Sequence, residues 1–345
     1  MKALVYRGGG LIAWQDHPMP SLRDPGDAIV RMLKTTVCGT DLHIVRGGMP
    51  TCTPGRVLGH EGVGVIEAVG AGVTMLRPGD HVLISGISSC GRCGHCQRGL
   101  YTHCPSGGWK LGNTIDGTQA EYVRIPHAQT SLCAIPAGDA GAAMATLGDM
   151  LPTGFECGVL SGKVAPGSSL AIVGAGPAGL AALLAVRLFA PAKIIVIDLG
   201  QDKQAVALRL GATYALDSAR GDTVARVLAL TAGRGVDTAI DAVGVPATFA
   251  LCGEIAARQG EVVELGTRGK AARPGLDKLW SHNIALTSRL IDRVSTPVLL
   301  KKAAAGPVEP LRLTPHRFKF KQMLEAYDAV RRAAETGARR VIVET

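Results

Sequence analysis

Residues 169–199 read SLAIVGAGPAGLAALLAVRLFAPAKIIVIDL: an apolar strand, a glycine-rich turn, a helix and a second apolar strand. Gly174 permits the sharp turn, Gly176 lets backbone approach a pyrophosphate, and Gly179 lets the helix opening at Pro177 pack close to the strand. The helix N-terminus adds amide donors and partial positive charge. An ordinary strand–helix turn can also carry glycines, so the context decides. Asp198 ends the next strand, where a carboxylate accepts from ribose hydroxyls and repels a 2′-phosphate. The segment predicts a bound dinucleotide, NAD rather than NADP, with Lys203 the only cation close behind Asp198. The bland reading of Asp198 is a cap for the helix beginning near Gln201.

The alternation continues beyond this unit. Short apolar runs at 170–173, 194–197, 238–240 and 262–265 suit strands buried on both faces, which predicts a doubly wound parallel sheet flanked by helices. The first 150 residues differ, with short strands such as 28–34, 62–68 and 81–84 set between Gly/Pro turns. At 345 residues the chain has room for about two domains. The expected layout is a β-rich domain over 1–150, a dinucleotide domain over 151–294 and a C-terminal segment, 295–345. Within that segment 322–336 carries helical spacing, and VIVE reads as a strand able to return to the first domain.

Charge and hydropathy exclude other classes. The net charge of +9 is scattered along the chain and aromatic residues make up 4%, which leaves neither a basic stripe nor stacking platforms for nucleic acid. Residues 164–186 carry no charged side chain, but their glycines and prolines break the run, so no membrane span is expected. The N-terminus lacks an apolar signal core, which points to the cytoplasm.

Nine cysteines do not form a fully paired framework, and Cys90, Cys93, Cys96 and Cys104 fall within fifteen residues. Four thiolates at C-x2-C-x2-C-x7-C spacing close a tetrahedron around Zn²⁺ with no open position, a structural site over the lobe 88–106. An iron–sulfur cluster is the competing reading. His95 and His103 lie in the same loop, where they could replace a cysteine but read more simply as exposed. A sparser set, Cys38 in VCGTDLH, His60 in LGHEGVG and Asp149 in LGDMLPTG, offers one thiolate, one imidazole and one carboxylate. Three such ligands leave a fourth position for water or substrate, as catalytic zinc requires. Taken singly, a buried thiol, a loop histidine and a helix cap explain each of them better than a ligand does.

Together VCGTDLH, GHEGVGVIEAVG, PGDHV, the four-cysteine lobe, GDMLPTG and GAGPAG resemble, in order and over essentially the whole chain, the zinc-dependent medium-chain alcohol dehydrogenases. The resemblance implies a GroES-like catalytic domain and a Rossmann domain. It also implies two zinc ions per chain, with Cys38, His60 and Asp149 as catalytic ligands. Asp149 stands where many members have cysteine, as in a bacterial subset acting on secondary alcohols; Cys157, two helical turns on, is the alternative ligand. Glu61 and Asp41 match carboxylates that tune and orient the site, and Thr40 and His43 match a proton relay through the cofactor ribose. Thr153, Val243 and Leu265 fall where members touch the nicotinamide, Gly174, Gly176, Pro177 and Gly179 where they bind pyrophosphate, and Trp109 where an aromatic wall lines the substrate pocket. The implied reaction is NAD-linked oxidation of primary or secondary alcohols to aldehydes or ketones by a homo-oligomer, a tetramer as in bacterial members. A polyol or threonine dehydrogenase is the nearest alternative, a zinc-ribbon nucleic-acid binder a more distant one, and a zinc-free quinone-reductase-like relative would lack Cys38, His60 and Asp149.

Overall fold

The computed structural model describes residues 1–136, 142–266, 276–304, 316–338 and 340–345. The chain divides into two compact units, one of Met1–Asp149, Asp292–Ala304 and the described part of Pro310–Thr345, the other holding Met150–Ile291.

The first unit is built around Ala28–Val37, AIVRMLKTTV, whose β-branched residues suit a strand with nine of ten side chains fully or partly turned inward. One edge of this strand pairs antiparallel with Gly62–Val69. The other edge is shared: Tyr122–Ile125 takes its N-terminal half and Val341–Glu344 its C-terminal half. The pairing of Val341 with Val37 and Glu344 with Lys34 brings the C-terminal strand into the middle of a seven-stranded sheet. Lys34 Nζ lies 3.2 Å from Glu344 Oε2 across that pairing. The sheet continues through His81–Ile84 to Leu132–Ala134. Helical spacing at 322–336 resolves into two helices, Met323–Arg331 and Ala333–Thr336, rather than one. The first turns Met323, Ala326 and Tyr327 into the same core as Val30, Met32 and Ile84.

The second unit is a six-stranded, all-parallel sheet. Numbered along the chain, its strands are Ser169–Val173, Lys193–Asp198, Tyr214–Asp217, Val236–Asp241, Ala256–Glu264 and Ala285–Ser288, and their spatial order is 3-2-1-4-5-6. That is the order of a Rossmann fold, with its ligand crevice where strands 1 and 4 part company. The first strand is buried along its full length, and the helix Pro177–Val186 is buried from Gly179 to Val186, as a sheet covered on both faces requires. The fold class expected from the alternation of strands and helices is the one observed. Among the described residues no helix is long and apolar enough to cross a membrane.

Candidate functional site: two metal-ligand clusters and a dinucleotide loop

The four-cysteine lobe assembles locally. Cys93 caps the helix Gly94–Gln97 and its sulfur accepts from the backbone N–H of Cys96, while Cys104 Sγ accepts from Cys90 N at 3.3 Å. The four sulfurs lie within 4.8 Å of one another, with Cys93–Cys96 at 3.5 Å and Cys90–Cys96 at 3.9 Å. A tetrahedron with Zn–S bonds of about 2.3 Å has edges of about 3.8 Å, so the donors fit a single ion and are too close for a cluster of several irons. Backbone N–H groups, that of Arg92 first, lower the Cys90 thiol to about 6. Burial and the neighbouring thiols push Cys96 up to about 12. The lobe is pinned by Asp292, whose Oδ1 accepts from Thr102 N at 2.9 Å.

The second cluster draws on separate segments. Cys38 precedes the helix Gly39–Val45, His60 and Glu61 precede the strand Gly62–Val69, and Asp149 stands before the helix Met150–Thr153. Gly59 shapes the approach to His60: its φ is +89°, and a Cβ there would sit 2.6 Å from Gln119 Cγ. One donor atom from each of Cys38, His60, Glu61 and Asp149 lies within 4.8 Å of the others. Cys157 is not in this group; it is buried in the helical turn Gly154–Leu160 of the second unit.

His60 fixes the polarity of the cluster. Its Nε2 is 3.6 Å from Asp149 Oδ2, and its Nδ1 is 3.3 Å from Asp41 Oδ1. A carboxylate on Nδ1 holds a proton there and leaves the Nε2 lone pair for a metal. Burial favours the neutral imidazole, but the Asp41 charge, with contacts to Asp149 and Cys38, outweighs it and raises the pKa well above the usual value. Asp41 also accepts from Cys38 N at 2.9 Å, which ties the first turn of its helix to the ligand beside it.

Glu61 is buried, and its Oε1 accepts from Thr36 Oγ1 at 2.6 Å and pairs with the Arg340 guanidinium. Its other oxygen, Oε2, is buried without a hydrogen-bond partner among the described residues. Burial raises the Glu61 pKa, and Arg340 works against that shift. A soft, a borderline and a hard donor around an orphaned buried carboxylate oxygen suit a zinc ion. Trp109 presents its ring edge-on to His60, with centroids 6.2 Å apart. Thr40 and His43 are half-buried, three positions apart on one helix face.

Arg340, Thr36, Gln119 and Tyr327 did not stand out in the sequence. Their contacts into the cluster join residues as much as 304 positions apart, and none has a diagnostic spacing. The weak signals were Arg340 immediately before VIVE and Tyr327 on the apolar face of 322–336.

In the second unit Gly174 adopts φ +106°, open space lies where a Cβ of Gly176 would stand, and a Cβ on Gly179 would collide with the Gly174 carbonyl. These are the three roles expected of the loop. The helix from Pro177 has no side-chain cap, so its first amides are open to an anion. Asp198 Oδ2 accepts from Ala175 N at 2.6 Å, within the loop, and Oδ1 pairs with Lys203 Nζ at 2.9 Å. Asp198 therefore does not cap the helix Gln201–Arg209, whose cap position is Gly200. The Asp198 charge is also partly compensated by Lys203, the cation close behind it in the sequence. Val243 packs against Gly174 at the parting of strands 1 and 4, Leu265 follows the fifth strand, and Thr153 is half-buried.

Residues 24–137 match the alcohol dehydrogenase GroES-like domain family and residues 177–297 the zinc-binding dehydrogenase family. An alcohol dehydrogenase of Cupriavidus necator is 34% identical over 95% of this chain and 94% of its own. A probable NADP-dependent isopropanol dehydrogenase of Mycoplasma pneumoniae is 30% identical over 94% of this chain and 95% of its own. The apo form of zinc dependent alcohol dehydrogenase 2 from Streptococcus pneumonia superposes with a TM-score of 0.96 at 46% identity, covering 100% of this chain and 98% of that one. With both ligand clusters and the dinucleotide loop on one chain of this descent, the protein is a member of the zinc-dependent medium-chain alcohol dehydrogenases.

Proposed function

We propose that the chain catalyses reversible, NAD-linked oxidation of primary or secondary alcohols to aldehydes or ketones. In this reading Cys38, His60 and Asp149 hold one zinc and Cys90, Cys93, Cys96 and Cys104 hold a second. The observation that carries it is the turn of His60, with Nδ1 on Asp41 and Nε2 toward Asp149 and the cluster. Bound zinc supplies Lewis-acid polarisation that lowers the pKa of an alcohol hydroxyl, and bound NAD accepts the hydride.

The chain's own groups do the rest. Asp41 keeps the His60 proton on Nδ1, and the Glu61 charge is balanced by Arg340 rather than left bare beside the donors. Thr40 takes the hydroxyl proton, and His43, on the same helix face, passes it on to solvent. Trp109 flanks His60 with an apolar surface that excludes water. Gly174, Gly176, Pro177 and Gly179 receive the pyrophosphate, Asp198 and Lys203 meet the adenosine ribose, and Thr153, Val243 and Leu265 meet the nicotinamide. NAD is the proposed cofactor because Asp198 carries a carboxylate to the strand end. The catalytic form is a homotetramer in a reducing compartment, where the four thiols stay available to zinc.

The test is NADH formation across primary alcohols, secondary alcohols and polyols, with NADP in parallel and metal analysis of the same preparation. About two zinc per chain are expected, with turnover lost on removing one of them by chelation. A zinc-replete protein that reduces neither dinucleotide with any alcohol, or one indifferent to the chelator, overturns the reading. Oxidation of polyols alone would move it to a polyol dehydrogenase.

A further inference from the structure

A buried hydrogen-bond chain runs from the C-terminal helix to the open metal site. Tyr327, fully buried on Met323–Arg331, donates its hydroxyl to Gln119 Oε1 at 2.8 Å. Gln119, also fully buried, donates from Nε2 to Asp41 Oδ2 at 3.0 Å and to the Thr36 carbonyl at 2.9 Å. Asp41, through its other oxygen, faces His60 Nδ1 at 3.3 Å.

The order of donors in this chain leaves one arrangement. A neutral amide has a donor end and an acceptor end. The Nε2 end of Gln119 meets two acceptors, so its Oε1 end needs a donor, and the Tyr327 hydroxyl supplies it. Inverting the amide would aim a carbonyl oxygen at a carboxylate and at a second carbonyl, an arrangement costly in a buried site. With Gln119 fixed, Asp41 keeps one oxygen for Cys38 N and Gln119 and the other for His60. A proton on His60 Nδ1 then faces a carboxylate oxygen, and Nε2 is turned toward Asp149.

We infer that Tyr327 is a positioning residue for the open metal site, acting through Gln119 and Asp41 to hold His60 in its ligating tautomer and orientation; this rests on the zinc reading above. Tyr327 reaches the cluster by hydrogen bonds through Gln119 and Asp41. It acts by anchoring the Oε1 end of an amide whose direction the Thr36 carbonyl and the Asp41 carboxylate set.

The experiment follows zinc release from the intact holoenzyme into a chromophoric chelator, where two phases are expected, one per site. Asp149→Ala identifies the open-site phase by deleting it. Tyr327→Phe should speed that phase by about 3- to 10-fold, and Gln119→Met, of similar volume, by about 10- to 100-fold, with the four-cysteine phase unchanged in both. With Co²⁺ in the open site, the visible bands should shift in Gln119→Met. The inference is overturned if both variants keep the wild-type open-site phase and bands. It is equally overturned if both phases accelerate together in step with a lower Tm, because that is what a packing defect alone produces. If the wild-type protein has no open-site phase, the zinc reading itself fails, and this inference with it.

Discussion

The two clusters hold four donor residues each, all thiols in one and a thiol, an imidazole and two carboxylates in the other, and are built in opposite ways. The four-cysteine lobe takes every ligand from fifteen consecutive residues and needs little beyond its own turns and the Asp292 contact. The open site gathers donors from residues 38, 60, 61 and 149, with buried groups at 36, 41, 119, 327 and 340 hydrogen-bonded or ion-paired around them. A local site is specified by spacing. An assembled site is specified by the fold, and its failure should show in chemistry before it shows in stability.

The largest effect that distinguishes them is expected from Asp149→Ala. Losing an open-site ligand should remove about one zinc per chain and lower turnover by about 10³-fold or more, while the four-cysteine zinc and NADH binding remain. Full activity in this variant, or its loss on Cys157→Ala instead, would reassign the ligand.

Cys104→Ser should do the reverse. Opening the lobe is expected to lower Tm by about 10 °C, while turnover per open-site zinc stays near wild type at temperatures where the protein remains folded. Retention of both zinc ions with an unchanged Tm would show that the lobe is not a structural zinc site.

Acidification weakens metal binding at both clusters, and at the open site it tests His60. Burial favours the neutral His60 ring, but the Asp41 charge outweighs it and raises the folded pKa well above the ordinary value, favouring the protonated form. The stability this charge contributes is complete below the unfolded pKa, about 6.5, and is lost as pH rises through the folded value. Zinc must displace that proton. Between pH 8 and pH 6, open-site affinity should fall by about tenfold per unit for each proton displaced, as read by competition with a chelator in an Asp149-intact protein. An affinity flat over that range would show that His60 is not a ligand.

The smallest effect concerns a site of intermediate construction, the Asp198–Ala175–Lys203 contacts of the dinucleotide loop. Lys203→Ala should increase the preference for NAD over NADP by severalfold, because the carboxylate loses its compensating cation, and Asp198→Gly should relax it. Equal efficiency with both cofactors in the wild-type enzyme would mean that Asp198 does not face the ribose.

The legibility of the molecule in its sequence follows the same division. The parallel sheet was readable because Leu170–Val173 and Ile194–Ile197 are uninterrupted apolar runs around a glycine turn, and the lobe because four thiols repeat at short spacing. Arg340 was not readable, since nothing about an arginine before VIVE says that strand pairing will bury it beside Glu61. Tyr327 looked like any apolar position of an amphipathic helix, and its hydroxyl acquires meaning only from Gln119, 208 residues earlier. The break of 322–336 at Arg332 had no glycine or proline to announce it.

The place of Val341–Glu344 beside Ala28–Val37 carries a consequence for synthesis. Once residue 104 has left the ribosome, the lobe has all its thiols and can capture its ion. The open site has its last donor at Asp149, yet Arg340 is made 191 residues later, about 10–40 s at ordinary elongation rates. During that interval Glu61 has no guanidinium, Gln119 no tyrosine, and the C-terminal half of Ala28–Val37 an unpaired edge. A nascent chain of this protein therefore passes through a stage with one metal site complete and the other present but unaligned.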